Sequence, residues 1–63
     1  MSQAFRLKLK DARQRLSLSQ SKFAAKLGVP MRTLIKWEND QATPDKFKLE
    51  ALEKLIDQLL NNP

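Results

Sequence analysis

A single glycine divides the most informative stretch of this 63-residue chain and leaves few options for its local structure. The residue is Gly28, and it follows Phe23 and Leu27, two apolar residues at helical spacing. Glycine most readily adopts the left-handed backbone found at a helix end. Pro30 follows closely, and proline suits the start of a helix, where the N–H group that it lacks has no partner. Residues 20–39 therefore predict two short helices joined by a tight turn.

The second short helix, predicted at residues 31–39, has two unlike sides. At 100° per residue, five of its side chains fall within an arc of roughly 140°. These five are Met31, Arg32, Ile35, Lys36 and Asn39. The other side holds Thr33, Leu34, Trp37 and Glu38, of which Leu34 and Trp37 are the expected core residues. An arc with two cations, one amide and no carboxylate suits the major groove of DNA.

Length and residue content limit what can stabilise the fold. The chain is expected to form one domain, residues 1–63, and a chain this short buries only about 60% of its unfolded surface. It has no cysteine and no histidine, so we expect no disulfide, no metal and no cofactor. Helix packing or dimerisation must therefore provide the stability.

The same residue content argues against catalysis and against a membrane location. The chain has no histidine or cysteine to act as base or nucleophile, and no glycine-rich phosphate loop. Its N-terminal sequence lacks the apolar core of a signal peptide, and no run approaches 18 apolar residues. We therefore expect a cytoplasmic protein that is not an enzyme and does not contact a membrane.

Charge is distributed unevenly along the chain. Residues 1–36 contain nine Lys or Arg and one acid, a net charge of +8. Residues 37–63 contain three Lys and six acids, a net charge of −3, which gives +5 for the chain. A basic half that contains the predicted helix pair suggests binding to a polyanion, and a mixed solvated surface is the alternative.

A longer helix is predicted on each side of this pair. The first is expected from about Gln3 to Leu16, capped by Ser2, because Phe5, Leu9, Ala12 and Leu16 form one helical stripe. Residues 5–10 also alternate apolar and basic side chains, so a short strand within residues 4–10 is the competing interpretation.

The last helix is expected from about Pro44 to Leu60. Thr43 is its predicted cap, Pro44 its first residue and Asp45 an acid in its first turn. Its apolar residues are Phe47, Leu49, Leu52, Leu55, Ile56, Leu59 and Leu60. That is more apolar surface than one helix usually buries against so small a core, which favours a homodimer formed through this helix.

Several short motifs occur together in this chain: Leu18-Ser19-Gln20, Phe23-Ala24, Leu27-Gly28-Val29 and Trp37-Glu38, with Leu9, Arg13 and Pro44 outside the core. With these residues the chain resembles the helix-turn-helix domains of the phage repressor/Cro (XRE-like) family. The resemblance implies an all-α, compact lambda-repressor-like DNA-binding domain of four helices, with five as an open alternative. It also implies that Arg13 pairs with Glu38, and that Gln20 contacts a DNA phosphate and supports the recognition helix.

The resemblance further implies that the start of the second short helix contacts bases. Arg32 suits the O6 and N7 atoms of guanine, and Met31 or Ile35 suits a thymine methyl group. The alternatives are that Met31 only fills space and that Ile35 packs on a partner. The full set expected to bind DNA is Gln20, Lys22, Met31, Arg32, Thr33, Ile35, Lys36 and Asn39.

These expectations combine into one functional prediction. The chain is expected to be a sequence-specific DNA-binding transcriptional regulator, a repressor that binds a palindromic operator as a homodimer. Its recognition helix, residues 31–39, is expected to enter the major groove of double-stranded DNA. Two alternatives stay open: an antitoxin that binds a toxin, and a protein-interaction module that uses the same scaffold for another partner protein.

Overall fold

The computed structural model describes residues 3–61, and this range contains four α-helices and no strand. The helices are α1 (Gln3–Arg15), α2 (Gln20–Leu27), α3 (Met31–Glu38) and α4 (Lys46–Asn61). The all-α, four-helix prediction is confirmed, and residues 4–10 are helical rather than extended. The predicted cap Ser2 lies outside the described residues. Within 3–61, none of the helices has the length and apolar content needed to cross a bilayer.

One apolar core joins the four helices. Each helix contributes a side chain with no exposed surface: Leu9, Phe23, Leu34 and Ile56. The rings of Phe5 and Trp37 meet edge to face, with centroids 5.8 Å apart and planes at 67°. Such an aromatic contact contributes about 0.5–1.5 kcal/mol beyond its buried area, and here it links α1 to α3.

Three helices are each followed, within two residues, by a residue with left-handed backbone. These residues are Ser17 (φ 56°), Gly28 (φ 73°) and Asp40 (φ 61°). At Gly28 the chain folds back so that the Val29 N–H donates to the Ala24 carbonyl at 3.0 Å and the Gly28 N–H to the Ala25 carbonyl at 3.2 Å. This pair of hydrogen bonds is the Schellman motif, and it satisfies carbonyl groups that the helix itself leaves open. The left-handed turn predicted at Gly28 is confirmed, whereas the equivalent turns at Ser17 and Asp40 were not predicted.

The start of α4 differs from the sequence prediction. The helix begins at Lys46, and Asp45 rather than Thr43 is its cap. The Asp45 Oδ1 atom accepts the Lys48 N–H at 2.9 Å, and the Asp45 carbonyl accepts the Leu49 N–H at 2.8 Å. Aspartate caps a helix at least as well as threonine does, so the helix starts after the second of two possible caps. Pro44 therefore precedes the helix instead of opening it.

The apolar face of α4 is also used differently from the prediction. Leu52 and Ile56 are buried, and the other leucines of this helix are half-buried and pack against the core. Phe47 is the exception, with 88% of its surface exposed. The predicted surplus of apolar surface is thus largely absorbed by the chain's own core, and what α4 leaves uncovered is concentrated at Phe47.

Candidate nucleic-acid interface

The α2–α3 turn presents α3 with one side against the core and the other toward solvent. On the inner side, Leu34, Trp37 and Glu38 are at most 5% exposed. Pro30 is the last residue before the helix, and its carbonyl accepts the Thr33 and Leu34 N–H groups at 3.0 and 3.2 Å. α3 thus starts one residue after proline, and α2 and α3 together form a helix-turn-helix unit.

The outer side of α3 carries the side chains that the sequence placed on one arc. Four of them are exposed: Met31, Arg32, Lys36 and Asn39. Ile35, the fifth member of the arc, is half-buried, as is Thr33, and Asn39 is the C-terminal cap of a helix that ends at Glu38. None of the four exposed side chains is acidic, so this surface offers a negatively charged ligand two cations and an amide.

The inner side of α3 is fixed by an ion pair with α1. The Arg13 Nε atom donates to Glu38 Oε2 at 2.9 Å, and Arg13 Nη2 donates to Glu38 Oε1 at 3.2 Å. This two-pronged geometry is the one in which guanidinium and carboxylate bind most strongly. The Glu38 side chain is 1% exposed and that of Arg13 22%, so water screens the pair little. The structure thus brings together the two residues that the family resemblance paired.

Gln20 also contacts this ion pair, through a hydrogen bond whose partner the sequence analysis did not identify. Its Nε2 atom donates to Glu38 Oε1 at 3.1 Å. The hydrogen bond connects the first residue of α2 to the last residue of α3, because Glu38 ends that helix. A primary amide has two N–H donors, so one remains for a ligand such as a phosphate. The resemblance suggested a phosphate contact for Gln20, but only the coordinates show what holds the side chain in position.

Gln20 lies at the N-terminus of α2. Ser19 caps the helix, since its Oγ atom accepts the Lys22 N–H at 3.2 Å. The free amides and the dipole of a helix N-terminus favour an anion there. Lys22 is exposed one turn into the helix. The predicted contact residues therefore occupy two connected places, the first turn of α2 and the outer side of α3.

A groove lies on another part of the molecule, between the α2–α3 turn and α4. Its volume is about 280 Å³, and its lining is apolar except for Lys48. Gly28 and Val29 form one wall, and Ala51 and Leu55 form the other. The sequence analysis did not identify this groove. The only signal for it was the spacing of Phe47, Ala51 and Leu55, which recur every four residues on one side of α4.

The described residues contain no cluster of acidic, cysteine or histidine side chains able to hold a metal ion. Comparisons with curated proteins and with solved structures return no match. A family model described as helix-turn-helix matches residues 9–58. This range holds the whole of α2, the turn and α3, together with the Arg13–Glu38 pair and most of α4. The chain therefore belongs to the helix-turn-helix family of the phage repressor and Cro type, a family of DNA-binding regulators.

Proposed function

We propose that this chain is a sequence-specific transcriptional repressor that binds a palindromic operator as a homodimer. The observation that carries the proposal is the outer side of α3, where Arg32 and Lys36 are exposed on an arc whose five side chains include no acid. α3 lies in the major groove, and occupation of the operator excludes RNA polymerase from the promoter. Two-fold symmetry of the dimer requires two equal half-sites, one helical turn of about 34–36 Å apart or a multiple of it.

Base contacts come from the start and middle of α3. Arg32 donates two parallel hydrogen bonds to guanine O6 and N7, the contact that guanidinium geometry favours. Met31 and Ile35 pack on thymine methyl groups, and Lys36 reaches a base edge or a phosphate one turn further along. These side chains specify the operator sequence.

Phosphate contacts come from the flanking positions and set the orientation of the domain. Gln20, held by Glu38, donates its second amide hydrogen to a phosphate near the N-terminus of α2. Lys22 on α2, and Thr33 and Asn39 on α3, contact the backbone beside it. These residues contribute to affinity for any sequence and make the affinity depend on salt.

Selection from a random duplex library with the purified protein tests this function. We expect enrichment of a symmetric site, a decrease in affinity with rising salt, and two protein chains per duplex in sedimentation. The absence of any enriched sequence at moderate salt contradicts sequence-specific regulation. An enriched site without symmetry, bound by one chain, keeps the DNA-binding function and contradicts the dimeric repressor.

A second candidate function, binding of a partner protein such as a toxin, is favoured by the apolar groove and the exposed Phe47. The two functions predict that different substitutions reduce binding. If DNA binding is the main activity, Arg32→Ala weakens operator binding and Phe47→Ala preserves contact with a single half-site. Tight binding of this chain to the product of an adjacent gene, with no measurable affinity of this chain for any duplex, supports the second function instead.

A further inference from the structure

The most exposed large apolar side chain of the described residues stands next to the apolar groove. Phe47 is 88% exposed, more than Leu7 at 56% or Met31 at 47%. It occupies the first turn of α4, one residue before Lys48, which lines the groove. Phe47, Ala51 and Leu55 form a single row on α4, because residues four apart on a helix lie on the same side. The row consists of one large projecting ring, one small residue and one half-buried leucine.

The groove has the dimensions and chemistry to receive such a ring. Its volume is about 280 Å³, and it is bounded by Leu27, Val29, Trp37 and Leu55. An aromatic side chain that enters an apolar site removes about 150–250 Å² of its own surface from water. Phe47 is not among the residues that line the groove of its own chain. One molecule therefore presents both a projecting ring and a recess suited to a ring.

From this pairing we infer that Phe47 of each chain inserts into the groove of a second copy of the same chain. The inference rests on the proposed function and identifies the surface through which its dimer forms. A two-fold axis makes both contacts at once, since the same patch then serves on both chains. Ala51, the small residue in the middle of the row, lets the two α4 helices approach closely.

Operator geometry brings two copies within reach of such a contact. The Cα atoms of one chain extend over 28 × 20 × 18 Å. Two copies whose recognition helices lie about 34–36 Å apart must therefore stand side by side once side chains are added. The groove adjoins the turn that leads into α3, so a chain seated there lies next to the recognition helix of its partner.

The expected contact area indicates a dimer that is weak without DNA. Two inserted rings account for about 300–500 Å² of buried aromatic surface. Stable interfaces bury about 1,200–2,000 Å² in total, so this contact reaches that size only with the surrounding α4 residues. Each chain also carries a net charge of +5, which repels the second copy in solution. DNA phosphates neutralise that repulsion, so the dimer assembles on the operator and binds there cooperatively.

The test compares a full palindromic operator with a duplex that holds one half-site, using wild-type protein and three variants. Phe47→Ala removes the ring, and Ala51→Arg blocks the groove; both residues are exposed, so neither change disturbs the core. Leu7→Ala removes an exposed leucine from α1 and serves as the matched control. Thermal unfolding verifies that all three variants fold.

We expect Phe47→Ala and Ala51→Arg to lower affinity for the full operator by about a hundredfold or more, since two interface anchors are lost per dimer. Half-site affinity stays at the wild-type value in all variants, and Leu7→Ala behaves as wild type on both duplexes. Unchanged full-operator affinity in Phe47→Ala overturns the inferred contact and leaves the DNA-binding function standing. If wild-type protein binds neither duplex, the proposed function itself fails.

Discussion

The two sides of α3 show how one helix of eight residues performs two tasks. The inner side holds Leu34, Trp37 and Glu38, nearly without exposed surface, and Glu38 is tied to α1 and α2 through Arg13 and Gln20. The outer side holds exposed cations and an exposed methionine. The inner side thus sets the orientation of the helix, and the outer side is available to a ligand. Substitutions on the two sides are expected to change different properties.

The largest effect is expected on the inner side, from Glu38→Ala. This change leaves the guanidinium of Arg13 without its partner, and breaking a buried ion pair in this way costs about 3–5 kcal/mol of unfolding free energy. A domain of this size has a total stability of only about 3–9 kcal/mol, so we expect the variant to be largely unfolded near 37 °C. Thermal and urea unfolding followed by circular dichroism measure the loss.

A double-mutant cycle with Arg13→Ala distinguishes the ion pair from general damage at this position. Because the two side chains share their hydrogen bonds, the second substitution is expected to cost much less than the first. Additive losses in the cycle contradict the account of the inner side as a coupled unit.

The next largest effect is expected on the outer side, from Arg32→Ala. The loss of a guanidinium that contacts guanine lowers operator affinity by about 1–3 kcal/mol and relaxes preference at one base pair. The melting temperature stays at the wild-type value, because Arg32 is exposed. Fluorescence anisotropy with the selected operator and with single-base variants measures both quantities.

Arg15→Ala is the matched control for Arg32→Ala. Arg15 is an exposed arginine of α1 that pairs with Asp11, at 3.0 Å between Nε and Oδ2. We expect its removal to leave base preference unchanged. Equal loss of preference in both variants contradicts the assignment of base contacts to α3.

A smaller effect is expected at the turn that sets the angle between α2 and α3, from Gly28→Ala. A Cβ atom at this position meets nothing within 4 Å, so the cost comes from the backbone alone, at φ +73°. An alanine held in left-handed backbone costs about 1–2 kcal/mol. We expect urea unfolding to show this loss while the folded variant keeps its operator preference. A loss below about 0.3 kcal/mol shows that the turn tolerates a Cβ and does not constrain the helix pair as described.

The smallest effect is expected from Ser17→Gly, and it is a gain. Ser17 adopts φ 56° at the end of α1, where its N–H donates to the Gln14 carbonyl at 3.0 Å. Glycine adopts this backbone without steric cost, so we expect an increase of about 0.5–1 kcal/mol in unfolding free energy. Operator affinity stays constant, because Ser17 lies on neither side of α3. A decrease in stability contradicts the strain assigned to this turn.

The sequence predicted the helices and the two sides of α3 because apolar periodicity and glycine are local signals. Phe23, Leu27, Gly28 and Pro30 lie close together, and each is informative about its neighbours. The helices predicted at residues 3–16 and 31–39 end within one residue of α1 and α3. The start of α4 was wrong because Thr43 and Asp45 are both good caps, and only packing decides between them.

Contacts between distant residues could not be predicted from the pattern alone. The Gln20–Glu38 hydrogen bond spans 18 residues, and no periodicity connects its ends. The Arg13–Glu38 pair was expected only through the family resemblance. The groove needed coordinates, because its walls come from the α2–α3 turn and from α4. Left-handed turns at Ser17 and Asp40 were missed because neither residue is glycine.

The central claim is that the outer side of α3 and the first turn of α2 contact DNA while the inner side holds the helix in place. Titration of isotope-labelled protein with the selected operator, followed by NMR, tests this claim residue by residue. The account predicts the largest shift changes at residues 20–22 and 31–39, and a smaller second set around Phe47 that appears only with the full palindrome. Shift changes centred on the outer surface of α1, with residues 31–39 unaffected, contradict it.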